Sequence, residues 1–472
     1  MIGNSREFSF GRGWLSRRGL LGGGAALLGS SMLPRTALAA KTVNIEIDAG
    51  QNENPFRWEA DAIKKKFGID VNLVGLPFVG QYEKLVSELT SRSSAYDLLV
   101  FPPYFLGDFV ALGFLRDLDP YTKIIDPKLD DYLPVYRDPV IKRNGKLYAL
   151  MYDGDMLQVT YRTDLFNDPK EKKDFKAKYG WDLAPAKNWD QFMQIAEFFT
   201  RPPKMYGTAF YAQRGFCYAW FVNIFAGLGG RWFTDDMKPG INSDVGVKAL
   251  EMLVKQKQYA PPNILQIDYP GLNQAFLNGS TAMVVQWDDL ALKVGDPKMS
   301  KVVGKGGYAA CPTRTYMPYS RVAAVSAFSK HPEDAYKVAA HMQLPDVTRS
   351  YVYDSQCGED PFRHSSLKPE AAMKNHLGKP ALDAASAKSY VDAIGEGLKA
   401  GYPELSIPGA PRYLDILDLY VNQALAGSLS PKAALDAAAT EWTSITQAED
   451  TAKQKAAYGA WVKSFKDVGL KY

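Results

Sequence analysis

The chain has 472 residues, 46% of them hydrophobic and 23% charged, which is material for two or three ordinary cores. Its formal net charge of +4 belongs to one end: residues 1–39 carry five arginines and one acid, and the remainder holds 51 basic against 51 acidic residues. Without a clustered Lys/Arg surface to exchange for counterions, nucleic acid is excluded as a partner. Three cysteines, Cys217, Cys311 and Cys357, are too few for a disulfide framework, though a single Cys311–Cys357 bridge is compatible with the predicted topology and Cys217 is expected to be a buried thiol.

From Ser16 the chain reads SRRGLLGGGAALLGSSMLPRTALAA. Arg6, Arg12, Arg17 and Arg18 precede an apolar run over 19–33, and Ala37-Leu38-Ala39 fits a small-residue cleavage site, so residues 1–39 are predicted to be a removable export signal. Only 15 residues separate Arg18 from Pro34, several of them Gly or Ser, against the roughly 20 apolar residues that a membrane span needs. The Arg17-Arg18 pair ahead of Gly-Leu-Leu resembles the twin-arginine signal, which implies export after folding. No cysteine precedes Cys217, so none beside the cleavage site can carry a lipid, and the mature chain is expected free in a periplasm.

The mature chain opens with alternating short apolar runs and helical stretches. VNIEID (43–48), IDVNLVGL (69–76) and YDLLVF (96–101) predict strands, and NPFRWEADAIKKKFG (54–68) and QYEKLVSELTSRS (81–93) predict the helices between them. Strand–helix–strand order at these lengths implies a parallel sheet with right-handed crossovers, with a ligand crevice beyond the strands' carboxyl ends. That rim would carry Gln51, Asn52, Phe78 and Tyr104. GKLYALMYDGDMLQVTYRTDLF (145–166) breaks the pattern: two strand-like runs flank Asp153-Gly154-Asp155 with no helix between, and the stretch reads as a crossing into a second lobe. There, NWDQFMQIAEFF (188–199), FCYAWFVNIFAGLGG (216–230) and VGVKALEMLVKQK (245–257) predict helices, while YGTAFY (206–211) and STAMVVQW (280–287) predict strands. RVAAVSAFS (321–329) is a further strand-like run, helices are expected over 332–342 and 346–354, and residues 380–465 read as nearly all helical. In LSPKAALDAAATEW, Ser430 caps a helix that has Pro431 at its first position.

No catalytic set presents itself. The four histidines, His331, His341, His364 and His376, miss zinc-ligand spacing, and Cys-x-x-Cys, H-E-x-x-H, G-x-S-x-G, P-loop and dinucleotide motifs are all missing, so no metal and no cofactor is expected. The paired acids Asp153/Asp155 and Asp288/Asp289 keep one enzymatic alternative open, an exported carbohydrate-active enzyme with two carboxylates about one bond; such acids also serve as caps and turn residues. Aromatic residues, in contrast, gather at predicted strand ends: Phe78, Tyr104, Tyr218, Trp220, Trp287 and Tyr413. A sugar ring has an apolar C–H face and a belt of hydroxyls, so flat rings beside carboxylates, amides and Arg suit it, although Trp220, in an all-apolar helix, also fits a core. Trp287 ends a strand and runs into Asp288-Asp289, bringing ring and carboxylate out at one edge.

YDLLVFPPYFLGDFVALGFLRDLDPY, the 145–166 crossing, NWDQFMQIAEFF, LNQAFLNGSTAMVVQW and YPELSIPGAPRYLDIL, in this order and spacing, resemble the extracellular solute-binding proteins of carbohydrate ABC importers, the family of the maltose-binding protein. The resemblance implies a two-lobed α/β fold of the periplasmic binding protein type (type II), each lobe a mixed, mainly parallel sheet with flanking helices. It implies one lobe from 41–153 and 311–358, the other from 155–310 and 359–472, and a hinge between them. It also implies a monomer that captures a sugar, polyol or sugar derivative and docks on transmembrane permease subunits, with contacts from Gln51, Asn52, Tyr104, Asp153, Asp155, Trp287, Asp288 and Arg412 or Tyr413. A third possibility is a receptor that presents its closed form to a sensor kinase. One departure stands out: Arg363, in Cys-Gly-Glu-Asp-Pro-Phe-Arg-His (357–364), stands where relatives show small residues and Pro. Its planar fork either faces the cleft and grips an anionic group or pairs with Glu359 or Asp360 at the surface.

Overall fold

The computed structural model describes residues 41–472, which fold as a single body. The export signal expected over residues 1–39 lies outside the described residues.

Ten strands position the site: β1 (Lys41–Asp48), β2 (Ile69–Leu76), β3 (Leu98–Phe101), β4 (Leu150–Asp153), β5 (Leu157–Arg162), β6 (Met283–Trp287), β7 (Gly306–Ala310), β8 (Thr315–Met317), β9 (Arg321–Val325) and β10 (Gly401–Pro403). The first sheet has the order β2-β1-β3-β9-β4. Its β1–β2 and β1–β3 pairs are parallel, joined by helices Asn54–Phe67 and Gln81–Thr90, whereas β9 runs antiparallel to both neighbours. The first of these helices has Pro55 in its first turn, Lys64, Lys65 and Lys66 in its last, and Gly68 at φ 68° closing it, so cap and charge both agree with the macrodipole.

The second sheet corrects the expectation of mainly parallel pairing: in the order β6-β5-β7, both pairs are antiparallel. Helices and loops cover both faces, so every residue of β6 is buried and the strand, apolar but for Gln286, lacks the alternation of a half-exposed antiparallel strand. Burial sets that pattern and does not report direction. The antiparallel register sets Trp287 opposite Leu157, returning the end of β6 to the start of β5. A parallel pair, β8 and β10, completes the framework.

YGTAFY forms no strand. Tyr206 makes a single bridge to Thr281, and Gly207 lies so close to helix Trp189–Phe199 that a Cβ there would sit 1.7 Å from the Ala196 carbonyl, a packing that leaves no room for a ladder. Helices Tyr218–Gly227, Asp244–Gln256, Ala410–Ala426 and Pro431–Ala448 pack together, the last capped by Ser430, whose side chain accepts from the Ala433 N–H. The Cys311–Cys357 bridge is not formed. All three cysteines are buried free thiols, and Cys311 lies against the Leu157 carbonyl of β5 instead.

Candidate functional site

A cleft of about 340 Å³ opens where the ends of β1 and β6 and the start of β9 converge, and Gln51, Asn52, Phe78, Asp155 and Trp287 line it together with Tyr211, Tyr269, Tyr319, Arg321 and Gly358. Its floor is built on Arg321. This residue stands opposite Asp153 in the β9–β4 ladder, and a register shift after it turns its side chain out of the strand pattern. The guanidinium donates to Asp48 at 2.9 and 3.2 Å, to Asp153 at 2.5 Å and to Asp155 at 3.5 Å, and lies 4.8 Å from the centre of the Tyr319 ring. Tyr319 occupies the left-handed region at φ 66°, uncommon for a side chain of its size, and its ring packs 4.4 Å from Phe78.

Trp287 forms one wall. Its indole N–H donates to the Pro318 carbonyl at 3.2 Å, and its ring lies 5.3 Å from Phe216, 5.4 Å from Trp220 and 5.8 Å from Tyr269. Gln51, just after β1, donates to the Tyr269 hydroxyl at 3.0 Å, a bond from the rim of the first sheet to the helix that leads into β6. Gly358 lets these groups meet, since a Cβ there would lie 2.2 Å from Gln51 Nε2 and 2.7 Å from Asn52 Oδ1. Asn52 donates to Asp48.

The paired acids are occupied in ways that suit holding rather than reacting. Asp288 accepts from the Met156 N–H at 3.1 Å, and Asp289 takes both the Tyr269 hydroxyl and the Lys293 ammonium. Asp153 accepts from the Asp360 N–H at 2.7 Å as well as from Arg321. Burial raises these carboxyls: Asp153 to about 6 despite the Arg321 charge, Asp288 to about 8, and Asp155 well above the usual range with the Asp153 charge adding to the effect. Glu359 and Asp360 are raised likewise, by burial first and then by neighbouring carboxylates. Among the described residues, Asp153, Asp155 and Asp360 form the one group whose ligand oxygens, all within 4.8 Å of one another, match the hard-donor chemistry of a metal ion.

The other anticipated site residues lie elsewhere. Tyr104 and Tyr218 line a neighbouring recess of about 290 Å³ that shares Phe78 with the main cleft. The Tyr218 hydroxyl donates to buried Glu404 at 2.7 Å, and that carboxyl is pushed up to about 7 by burial. Trp220 stands behind Trp287 as core, its indole N–H donating to the Val285 carbonyl at 2.8 Å. Arg412 and Tyr413 do not reach the cleft: Arg412 pairs with Glu449 at the surface, and Tyr413 packs among Phe233 and Trp442 with its hydroxyl on Thr446. Arg363 neither faces the cleft nor pairs with Glu359 or Asp360. It is fully buried, donates to the carbonyls of Pro127, Lys128 and Gln343, stacks 4.4 Å from Tyr132 and lies 3.5 Å from Asp131. Its role is to join main-chain segments, for which its five donors suit it.

Sequence reasoning passed over Arg321, Tyr319, Tyr211, Tyr269 and Asp48. Asp48 ends β1 and follows from the strand-end rule that picked Gln51 and Asn52. Arg321 begins a strand, and only the antiparallel direction of β9 sets that beginning among the carboxyl ends of its neighbours.

A bacterial extracellular solute-binding protein family model matches residues 49–349, and the chain belongs to that family. Membership identifies a solute-binding transport component, not an enzyme. A relative from Sinorhizobium fredii, described as a probable amino-acid ABC transporter periplasmic-binding protein, is 26% identical over 322 residues, 67% of this chain and 71% of its own length. The fold matches an ABC transporter solute-binding protein from Agrobacterium radiobacter in complex with ribitol, with a TM-score of 0.71 and 24% identity over 86% of this chain and 98% of the other. It also matches the maltose-bound MalE3 protein of T. maritima, with a TM-score of 0.70 and 19% identity over 86% and 99%. Among the described residues, no helix is long and apolar enough to cross a membrane.

Proposed function

We propose that the protein is the periplasmic substrate-binding component of an ABC importer, exported by its N-terminal signal, which captures a sugar, polyol or sugar derivative and hands it to permease subunits. The observation that carries this reading is the ring-lined cleft floored by Arg321 and its carboxylates, at the meeting of two sheets. About 340 Å³ is at the small end of the roughly 300–1,000 Å³ typical of small-molecule pockets, which favours a single sugar or polyol over a long oligosaccharide. Stacking about 60 Å² of C–H face on a ring contributes about 1.5 kcal/mol at ~25 cal/mol/Å². A few hydrogen bonds to charged groups, about 1.5–3 kcal/mol each, bring the total to micromolar affinity. The ribitol and maltose held by the two structural neighbours are of this solute class.

In this reading one lobe comprises residues 41–153 and 311–358 and the other 155–310 and 359–472. A monomer closes them about Asp153-Gly154-Asp155 as a solute touching both favours the shut form. A thermal-shift screen of the mature chain against sugars, polyols, uronates and sulfonated sugars tests it. Stabilisation by at least one member, with the solute recovered unchanged, is expected; stabilisation by none, or conversion of one into product, overturns the reading.

A further inference from the structure

We propose that the solute best suited to this cleft is hydroxylated and carries a protonated amine, with Asp155 and Asp289 as counter-charges to the ammonium. This rests on the solute-binding reading above and narrows it. Four carboxylates line the cleft, Asp48, Asp155, Asp268 and Asp289, against one cation in the described lining, Arg321, with Lys293 behind Asp289. That guanidinium is divided among Asp48, Asp153 and Asp155, and Asp155 holds the longest contact, 3.5 Å. Asp289 binds Lys293 and Tyr269 through Oδ2 alone, and its buried Oδ1 has no partner among the described residues.

The unpartnered buried polar atoms on the cleft-lining residues, Asn52 Oδ1 and Asp289 Oδ1, are both acceptors, so the lining asks a ligand for donors. Behind them Asp288, Glu359 and Asp360 each hold a further buried carboxyl oxygen without a partner among the described residues; burial favours their protonated form, and an ammonium nearby would draw them toward the ionised one. The rings agree: Tyr319 already faces Arg321 at 4.8 Å and Tyr269 faces Lys293 at 5.9 Å, and the faces of Phe78 and Trp287 favour positive charge by the same quadrupole. A carboxylate or phosphate on the solute would meet like charge, with no free cation among the described lining residues to receive it. An uncharged polyol can fill the space but offers no charge to the partnerless Asp289 Oδ1 or to Asp155, the most weakly held of the carboxylates on Arg321.

The test uses matched solutes on the mature chain by titration calorimetry: sorbitol, N-methylglucamine and gluconate, then glucose, glucosamine and glucuronate. Within at least one trio the amine is expected to bind about tenfold or more tighter than the neutral member, the gain of a charge-assisted over a neutral hydrogen bond, and the acid not to bind. Asp289→Asn and Asp155→Asn, checked for folding by circular dichroism, are each expected to shrink the amine's advantage severalfold more than they change neutral affinity. Neutral binding equal to or tighter than amine binding, tightest binding of an acid, or a neutral hit from the wider screen with neither amine bound each overturns this inference and leaves the importer reading standing. Failure of every sugar, polyol and amine overturns the importer reading as well.

Discussion

Arg321 holds three carboxylates that no other cation among the described residues reaches, so its removal strands buried charge. Arg321→Met, similar in length but without charge, is expected to lower stability by about 3–5 kcal/mol at pH 7.5 in urea denaturation. The loss is expected to shrink at pH 5, because Asp153 and Asp155, already raised by burial, take up protons there and lose their need for the guanidinium. Trp287 lines the cleft; in the proposed reading Trp287→Ala removes the wall ring, and affinity for the best solute is expected to fall at least about tenfold, on the scale of the aromatic area lost. Full affinity in that variant would place the solute elsewhere.

At the scale of elements, the contact between the β1 rim and the helix leading into β6 depends on a glycine. Gly358→Ala would push Gln51 Nε2 aside and so break its bond to Tyr269. The flexible tip of Gln51 can move, so the expected outcome is a severalfold loss of solute affinity in calorimetry with a thermal midpoint within about 2 °C of wild type, about 1–2 kcal/mol for a chain of this size. Elements were legible to the extent that their signals are local. The Asn54–Phe67 helix has its capping glycine, the Pro431–Ala448 helix its Ser-Pro start, and β6 its β-branched, mostly apolar run ending at Trp287. YGTAFY carried the composition of a strand but not a partner, because Gly207 is given over to contact with a helix.

For the whole molecule, the concentration of buried acid has a measurable consequence. The native-state values of about 6 for Asp153, about 7 for Glu404 and about 8 for Asp288 all stand above the unfolded carboxylate range near 4. The folded state therefore binds more protons than the unfolded one between pH 4 and 8, and the stability these groups contribute is complete below about 4 and declines as pH rises through each value. The midpoint of thermal unfolding is expected to be higher at pH 5.5 than at pH 8, and Asp288→Asn is expected to flatten the upper part of that decline. Calorimetric scans across the range check both; a midpoint rising with pH would mean that these carboxyls are ionised in the native state.

The sequence by itself determined the class of elements, the crevice-bearing α/β framework of the first sheet, and several residues of the cleft, Gln51, Asn52, Phe78, Asp155 and Trp287, because periodicity, caps and strand ends are written within a few residues of one another. Only the tertiary structure decided that the second sheet is antiparallel, that Arg321 begins its strand at the cleft floor, and that Arg363, Arg412 and Tyr413 turn elsewhere. Strand direction, and the neighbour to which a long side chain commits its donors, are set by segments far apart in the chain: Asp48 and Arg321 lie 273 residues apart, and nothing local to either records the other.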